Sequence, residues 1–444
     1  MECYKLMNLS KLSLSTFFLL LWPGYAQALT LQEAVMVATA YDSEYLAAVS
    51  LHQAEQQKRY QGFSGLLPEI TLTSNFSKQD QPKAAYAAGV KSHDYALNLT
   101  QPLFDLARFA SWQRSNATAN VADANFLLSQ QKLIQTVSKA WFAVIFSRKQ
   151  LTTLKQEKKA YELQLRKAQD ALRVGDGTQL DIDEAQASYD TSDANMLSAE
   201  NDLSHAEIDF QRLTGLSAQG ISEAETACLF KPMRETLNTV LARATAKNLS
   251  IIAASHQLQE SRSDVYAATS THLPVVTLRA NYGANWSRGE NENVLDQFFG
   301  TTSKTQNTYV GINVAVPVFT GGRNISQTLE AVHRHDRAKQ LLENTRRKIL
   351  QDTQVAWLGV NNNLQKVYAF RKARQSAQKK LDSTIYGKEV GLRTLIDQFN
   401  AEKELFKAIQ NLTESENNFI QQKILLAAAA GDLDYSMLKN YICH

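Results

Sequence analysis

The chain has 444 residues, 20% of them charged, and a formal net charge of +3 at pH 7. That length holds two or three ordinary domains, and so even a balance leaves no basic footprint for nucleic acid, so no nucleic-acid partner is expected. Only seven prolines and 18 glycines favour long uninterrupted helices over an all-β fold.

The chain opens on Met1–Lys11, short and basic. Leu12–Trp22 is an apolar run too short to span a bilayer as a helix, and Ala26-Gln27-Ala28 has the small-x-small form of a cleavage site. Residues 1–28 read as a signal peptide, with Leu29 as the mature start. A start at Met7 leaves an equally good signal, and an uncleaved anchor is the alternative. Cys3 belongs to this leader. Cys228 and Cys443 stand too far apart to make a disulfide framework, and no cysteine follows the cleavage site to carry a lipid. Beyond residue 28 no apolar run is long enough for a membrane helix. A membrane β-strand, however, needs only about ten alternating residues and leaves a weak hydropathy trace.

The mature chain is written twice. Leu67-Pro68 returns as Leu273-Pro274, "QPLFD" (Gln101–Asp105) as "VPVFT" (Val316–Thr320), Val174-Gly175 as Val390-Gly391, Asp181 as Asp397, and Gly215 as Gly431. The offset runs from 206 to 216 residues, far longer than a solenoid repeat. Two structural repeats are expected, 29–220 and 221–438, followed by a tail, 439–444.

Each repeat predicts the same elements in order. An amphipathic helix (Leu31–Gly62, Thr236–Ser270) stops at the Leu-Pro pair, because proline cannot continue a helix. Two strands follow, separated by a polar loop: Pro68–Ser77 and Ser92–Gln101, then His272–Trp286 and Thr308–Val316. In the third, Val276, Leu278, Ala280, Tyr282, Ala284 and Trp286 alternate with Thr277, Arg279, Asn281, Gly283 and Asn285. Such strands fit an antiparallel sheet packed on helices or the wall of a membrane barrel. Their length and the aromatic residues Phe76, Tyr95, Tyr282, Trp286 and Tyr309 favour the wall. Next comes a very long helix. Leu103–Val174 contains neither proline nor glycine, and Arg323–Tyr386 contains only Gly359; the first would measure about 105 Å. Helices of this length need a coiled-coil-like or extended assembly. A glycine break and another long helix close the repeat.

Four strands cannot close a barrel, whose smallest membrane form has about eight, and an open sheet edge is not tolerated in lipid. Lipid-facing strands therefore require association, and three copies supply twelve.

The Leu-Pro strand starts, the exits "QPLFD" and "PVFTGGR", and the helix breaks "RVGDGTQLDIDEAQASYDTSDANMLSAENDL" and "EVGLRTLIDQFNAEKELFKAIQNL" together resemble the TolC family of outer-membrane channel proteins, over about 30–435. The resemblance implies a mixed α and β membrane protein: a trimeric twelve-stranded β-barrel in the outer membrane of a Gram-negative bacterium, continuous with a periplasmic α-helical barrel. It implies an exit duct for drug efflux or type I secretion, working with a periplasmic adaptor and an inner-membrane pump of RND or ABC type, with no enzymatic activity and no cofactor. It places Val174, Gly175, Val390, Gly391 and Leu392 in adaptor-docking grooves, with Asp176 and Gly177 departing from the pattern. Arg393 resembles the gating arginine, Asp181 its partner on the neighbouring chain, and Asp397 a pore-facing acidic ring. Asn400 stands where a second acid is usual, and Lys388 where a tyrosine is.

Other signals carry little. His333 and His335, two apart on a helix, do not face each other, so no metal site is expected. Gly387-Lys388 lacks the upstream glycine of a phosphate loop, and no serine or cysteine sits in a nucleophile motif. Asp181, Asp183 and Glu184 follow a helix break, where acids favour the next N-terminus. The rival reading is a secreted coiled-coil structural or adhesive protein.

Overall fold

The computed structural model describes residues 29–80, 89–221, 229–289 and 303–438. The leader, the tail from 439 and all three cysteines lie outside these described residues.

Thr30 opens the first helix with a capping box: its hydroxyl accepts the Glu33 N–H, and the Glu33 carboxylate accepts the Thr30 N–H. The expected single opening helix is two. Helix α1 (Leu31–Tyr41) ends and α2 (Ser43–Ser64) begins at Asp42, which is extended (φ −67°, ψ 117°) and caps Tyr45 N–H through its side chain. The second repeat breaks in the same way at Asn248, between α5 (Leu237–Lys247) and α6 (Leu249–Ser270).

Three strands run longer than the alternation suggested, β1 (Glu69–Asp80), β2 (Gly89–Phe104) and β4 (Ser303–Ala315), while β3 (Val275–Gly289) keeps the expected length and starts three residues later. They form one antiparallel sheet in chain order. Strand β2 continues past Pro102 because the register slips between Pro102 and Phe104, and a bulge tolerates the missing N–H.

Helix α3 spans Leu106–Val174 and α7 spans Arg323–Glu389; at 69 and 67 residues each is about 100 Å long. Helices α4 (Gln179–Thr214) and α8 (Leu395–Ala430) return from their ends. Around the middle of α3 the short helices wrap the long ones over one core containing Val35, Val137, Phe142, Phe210, Val360 and Phe419, each large side chain contributing roughly 1.5–3 kcal/mol by burial. Within it Glu416, 5% exposed, receives Lys149 at 2.6 Å and Arg371 at 3.3 Å, tying α3, α7 and α8.

The duplication extends to the packing of the helix-ending glycines. The Gly215 Cα lies against the Tyr41 ring and that of Gly431 against the Lys247 carbonyl, where a Cβ would come within 2.8 and 2.7 Å.

Packing order is continuous from top to bottom. The sheet runs β1–β2–β3–β4. Next to it the helices pack α2–α3–α6–α7, and farther along α4–α3–α8–α7. One flank of the chain is thus β1, α2 and α4, and the other is β4 and α7.

Candidate conduit and gate

The strand register sorts the sheet into two faces. Leu72 pairs with Leu97, Leu97 with Tyr282, and Leu278 with Ile312. On this face Ile70, Leu72, Phe76, Val310 and Ile312 are each more than 60% exposed, which a water-soluble sheet does not sustain. At its far end Phe76, His93 and Trp286 lie side by side, with ring centroids 5.9 and 4.6 Å apart. Such a row suits a membrane–water interface. The opposite face is polar: Asn281 donates to Asn98, Asn98 donates to Thr73, and Ser77 pairs with Ser92. Tyr309, one of the strand aromatics, lies on the polar face as its parity with Gly311 and Asn313 implies, its hydroxyl end folded over Gly311.

At the other end of the molecule both glycine breaks form as the sequence implied. Gly175 (φ 85°) caps α3, and Gly391 (φ 78°) follows α7 in the left-handed region that glycine tolerates. Val174, Val390 and Leu392 are 70%, 49% and 80% exposed. The departure at "VGDGT" has a local cause: Asp176 N–H bonds back to the Ala171 carbonyl, and Gly177 lies so close to Leu172 N that a Cβ would come within 2.9 Å.

Asp181 and Asp397 are capping-box acids. The Asp181 Oδ2 accepts the Thr178 N–H and hydroxyl at 2.8 and 2.7 Å. The Asp397 Oδ2 accepts the same groups of Thr394 at 2.9 and 3.0 Å. The Thr394 backbone and side-chain bonds hold the Asp397 carboxyl below its ordinary range, and Arg393 adds to this. Arg393 lies 3.9 Å from Asp397 of its own chain, and its side chain is 60% exposed.

Lys388 donates to Gln398 Oε1 at 3.1 Å. Gln398 and Gln164 both donate to Glu402 Oε1, joining α3 to α8. Burial pushes the Lys388 ammonium below its ordinary pKa, Lys167 adds to this, and Glu402 opposes it. Asn400 borders a cleft of about 720 Å³ between the two hairpins, beside Glu157, Tyr161, Lys403 and Lys407. Burial raises the Glu157 pKa, against hydrogen bonds from Tyr161 and Gln410.

Three participants had no sequence signal: Gln164 and Glu402, which meet across 238 residues, and Gly387. The Gly387 carbonyl accepts the Leu392 and Arg393 N–H groups, and a Cβ there would come within 2.8 Å of the Arg393 Cγ. His335 turns to Ser261 at 3.1 Å. No group of three metal-binding side chains occurs, and no helix is long and apolar enough to cross a membrane, among the described residues.

The sequence profile of the family described as "Outer membrane efflux protein" matches residues 40–216 and 240–432. The chain belongs to that family. It is 28% identical to outer membrane protein TolC of Vibrio cholerae over 91% of both chains. It is 27% identical to the alkaline protease secretion protein AprF of Pseudomonas aeruginosa, over 95% of this chain and 88% of that one. Its fold matches the crystal structure of the outer membrane protein VceC of Vibrio cholerae with a TM-score of 0.76 at 16% identity, covering 90% of this chain and 96% of that one. It matches the Campylobacter jejuni CmeC outer membrane channel with a TM-score of 0.75, also at 16% identity, covering 93% and 89%. The outer membrane efflux protein described here is thus an exit duct, with its sheet in the outer membrane and its helices in the periplasm.

Proposed function

We propose that three copies close head to tail, β4 to the next β1, into a twelve-stranded barrel that passes cargo passively from a pump to the outside. The observation that carries this reading is a sheet apolar on one face, polar on the other and open at both edges, which lipid forbids unless the edges pair. Energy comes from an inner-membrane pump through a periplasmic adaptor, and the duct itself performs no chemistry. The relatives' names include both efflux and protease secretion, and either cargo class suits a water-filled lumen.

At the tip, Val174, Gly175, Val390, Gly391 and Leu392 offer the adaptor an exposed apolar edge. The Arg393 guanidinium reaches Asp181 of the next chain as a charge-assisted gate pair. Three copies of Asp397, ionised at neutral pH, form a ring that favours cations. Asn400 adds no charge to it, and Lys388 holds the hairpin through Gln398. The test is single-channel recording in planar bilayers of wild type beside Arg393→Ser. Small cation-preferring openings that widen in the variant are expected. Unchanged openings would remove the gate pair, and failure to insert would remove the duct.

A further inference from the structure

The strand register that separates an apolar face from a polar one also sorts charge. On the apolar face the row Phe76, His93 and Trp286 is followed, two residues farther from the helices, by Lys78, Lys91 and Arg288, which pair directly across β1, β2 and β3. All three side chains are exposed, and so is that of Lys304, which pairs with Trp286. Neighbouring strands lie about 4.8 Å apart, so three cations stand abreast within about 10 Å. Among the described strand residues the one acid on this face is Asp80, whose backbone pairs with Gly89 one row beyond.

Two contrasts give the row its direction. The polar face at the same level is neutral: Ser77 meets Ser92 at 2.7 Å and Ser287 meets Ser303 at 3.0 Å. Toward the helices the apolar face is uncharged as well, from Ser74 to Ile70 on β1, Tyr95 to Leu99 on β2, Ala284 to Val276 on β3 and Gln306 to Val314 on β4. Cations that kept the rim in water would be spread over both faces, and cations that met cargo would point into the lumen. These do neither.

Depth places the row. Leu278 to Arg288 is ten residues, about 34 Å of strand and about 26 Å of membrane at a tilt of about 40°. The apolar band of an outer-membrane barrel is about 25 Å tall. With the helices marking the periplasmic end, the cations stand at headgroup level in the outer leaflet.

We propose that Lys78, Lys91 and Arg288 bind the phosphate groups of an outer-leaflet glycolipid, the lipid A part of lipopolysaccharide, with its acyl chains along Leu72, Leu97 and Tyr282. The inference rests on the apolar face of the sheet meeting lipid. Hydrogen bonds from ammonium and guanidinium groups to phosphate are charge-assisted, and the guanidinium fork takes two oxygens at once. Like charges set opposite each other across a strand pair repel, and a multiply charged anion seated over them replaces that repulsion by attraction. At the edge of the hydrocarbon the attraction is screened less than in open water.

The test is native mass spectrometry of the purified, detergent-solubilised trimer titrated with lipid A carrying two phosphates. One lipid per chain is expected to bind, more weakly as salt rises, and dephosphorylated lipid A is expected not to bind. Lys78→Gln with Lys91→Gln and Arg288→Gln should weaken binding on the order of a hundredfold, at roughly fivefold per cation. Should that variant fail to assemble, Arg288→Gln alone should weaken it roughly fivefold. Arg279→Gln, which removes a cation from the polar face, should change nothing. Binding that ignores the phosphates, or that survives these substitutions, overturns the site and keeps the barrel. Displacement of the lipid by inorganic phosphate would mean a plain anion site and overturns the glycolipid as its occupant. A chain that neither forms trimers nor inserts into bilayers overturns the lipid-facing sheet and the site with it.

Discussion

Glu157 is the residue at which burial and chemistry disagree most usefully. Its carboxyl is 8% exposed, bonded by Tyr161 and Gln410, and its pKa is raised by burial. A folded-state pKa above the unfolded value means that its favourable contribution is complete below the unfolded value and is lost as pH rises through the folded one. Glu157→Gln should therefore unfold at the same temperature as wild type near pH 4 and higher than wild type at pH 7; thermal melts at the two pH values check this. Glu416 is held by cations instead of neutral donors. Glu416→Ala takes the shared carboxylate from Lys149 and Arg371, whose own side chains are 44% and 37% exposed, and should cost about 1–2 kcal/mol, read as a lower denaturation midpoint. Neither acid stood out in the sequence. The partners that define them lie up to 267 residues away, and helical periodicity says which face is buried but not which distant amide waits there. Asp181 was legible as an acid at the helix start after a break, but the Thr three residues before it and before Asp397, a purely local capping-box signature, went unread.

At the scale of elements, sequence pattern located every strand and both long helices, since an uninterrupted helical run and strict alternation are written directly in residue order. It missed the breaks at Asp42 and Asn248. Neither involves proline or glycine, and each depends on one residue serving as the end of one helix and the cap of the next. Strand parity also placed Tyr309 opposite Val310 and Ile312, on the face that pairs with Asn281. The turn glycines separate two effects. Gly321 (φ 63°) has open space where a Cβ would go, whereas Gly431 (φ 77°) abuts the Lys247 carbonyl. Gly321→Ala should cost only the left-handed strain of about 1–2 kcal/mol, and Gly431→Ala should cost clearly more. Equal losses in thermal unfolding would mean that the α5–α8 junction yields freely.

At the scale of the whole molecule, the chain is one sector of a closed object. Its sheet exposes apolar side chains on one face and open strand edges, its flanking helices expose Leu197, Ile208 and Val355, and its tip exposes Val174 and Leu392. None of these is stable in a solitary soluble chain, and lipid, neighbouring copies and an adaptor account for them in turn. The central claim is that the sheet separates lipid from a water-filled lumen. Spin labels at Leu97→Cys and Asn98→Cys, each in a chain freed of its native cysteines and reconstituted in lipid vesicles, test it most directly, because adjacent strand residues face opposite sides. The label at 97 should be relaxed by oxygen dissolved in the bilayer and the label at 98 by a water-soluble nickel chelate. Two labels reached equally by the chelate would mean that the sheet faces water on both sides and would contradict the barrel.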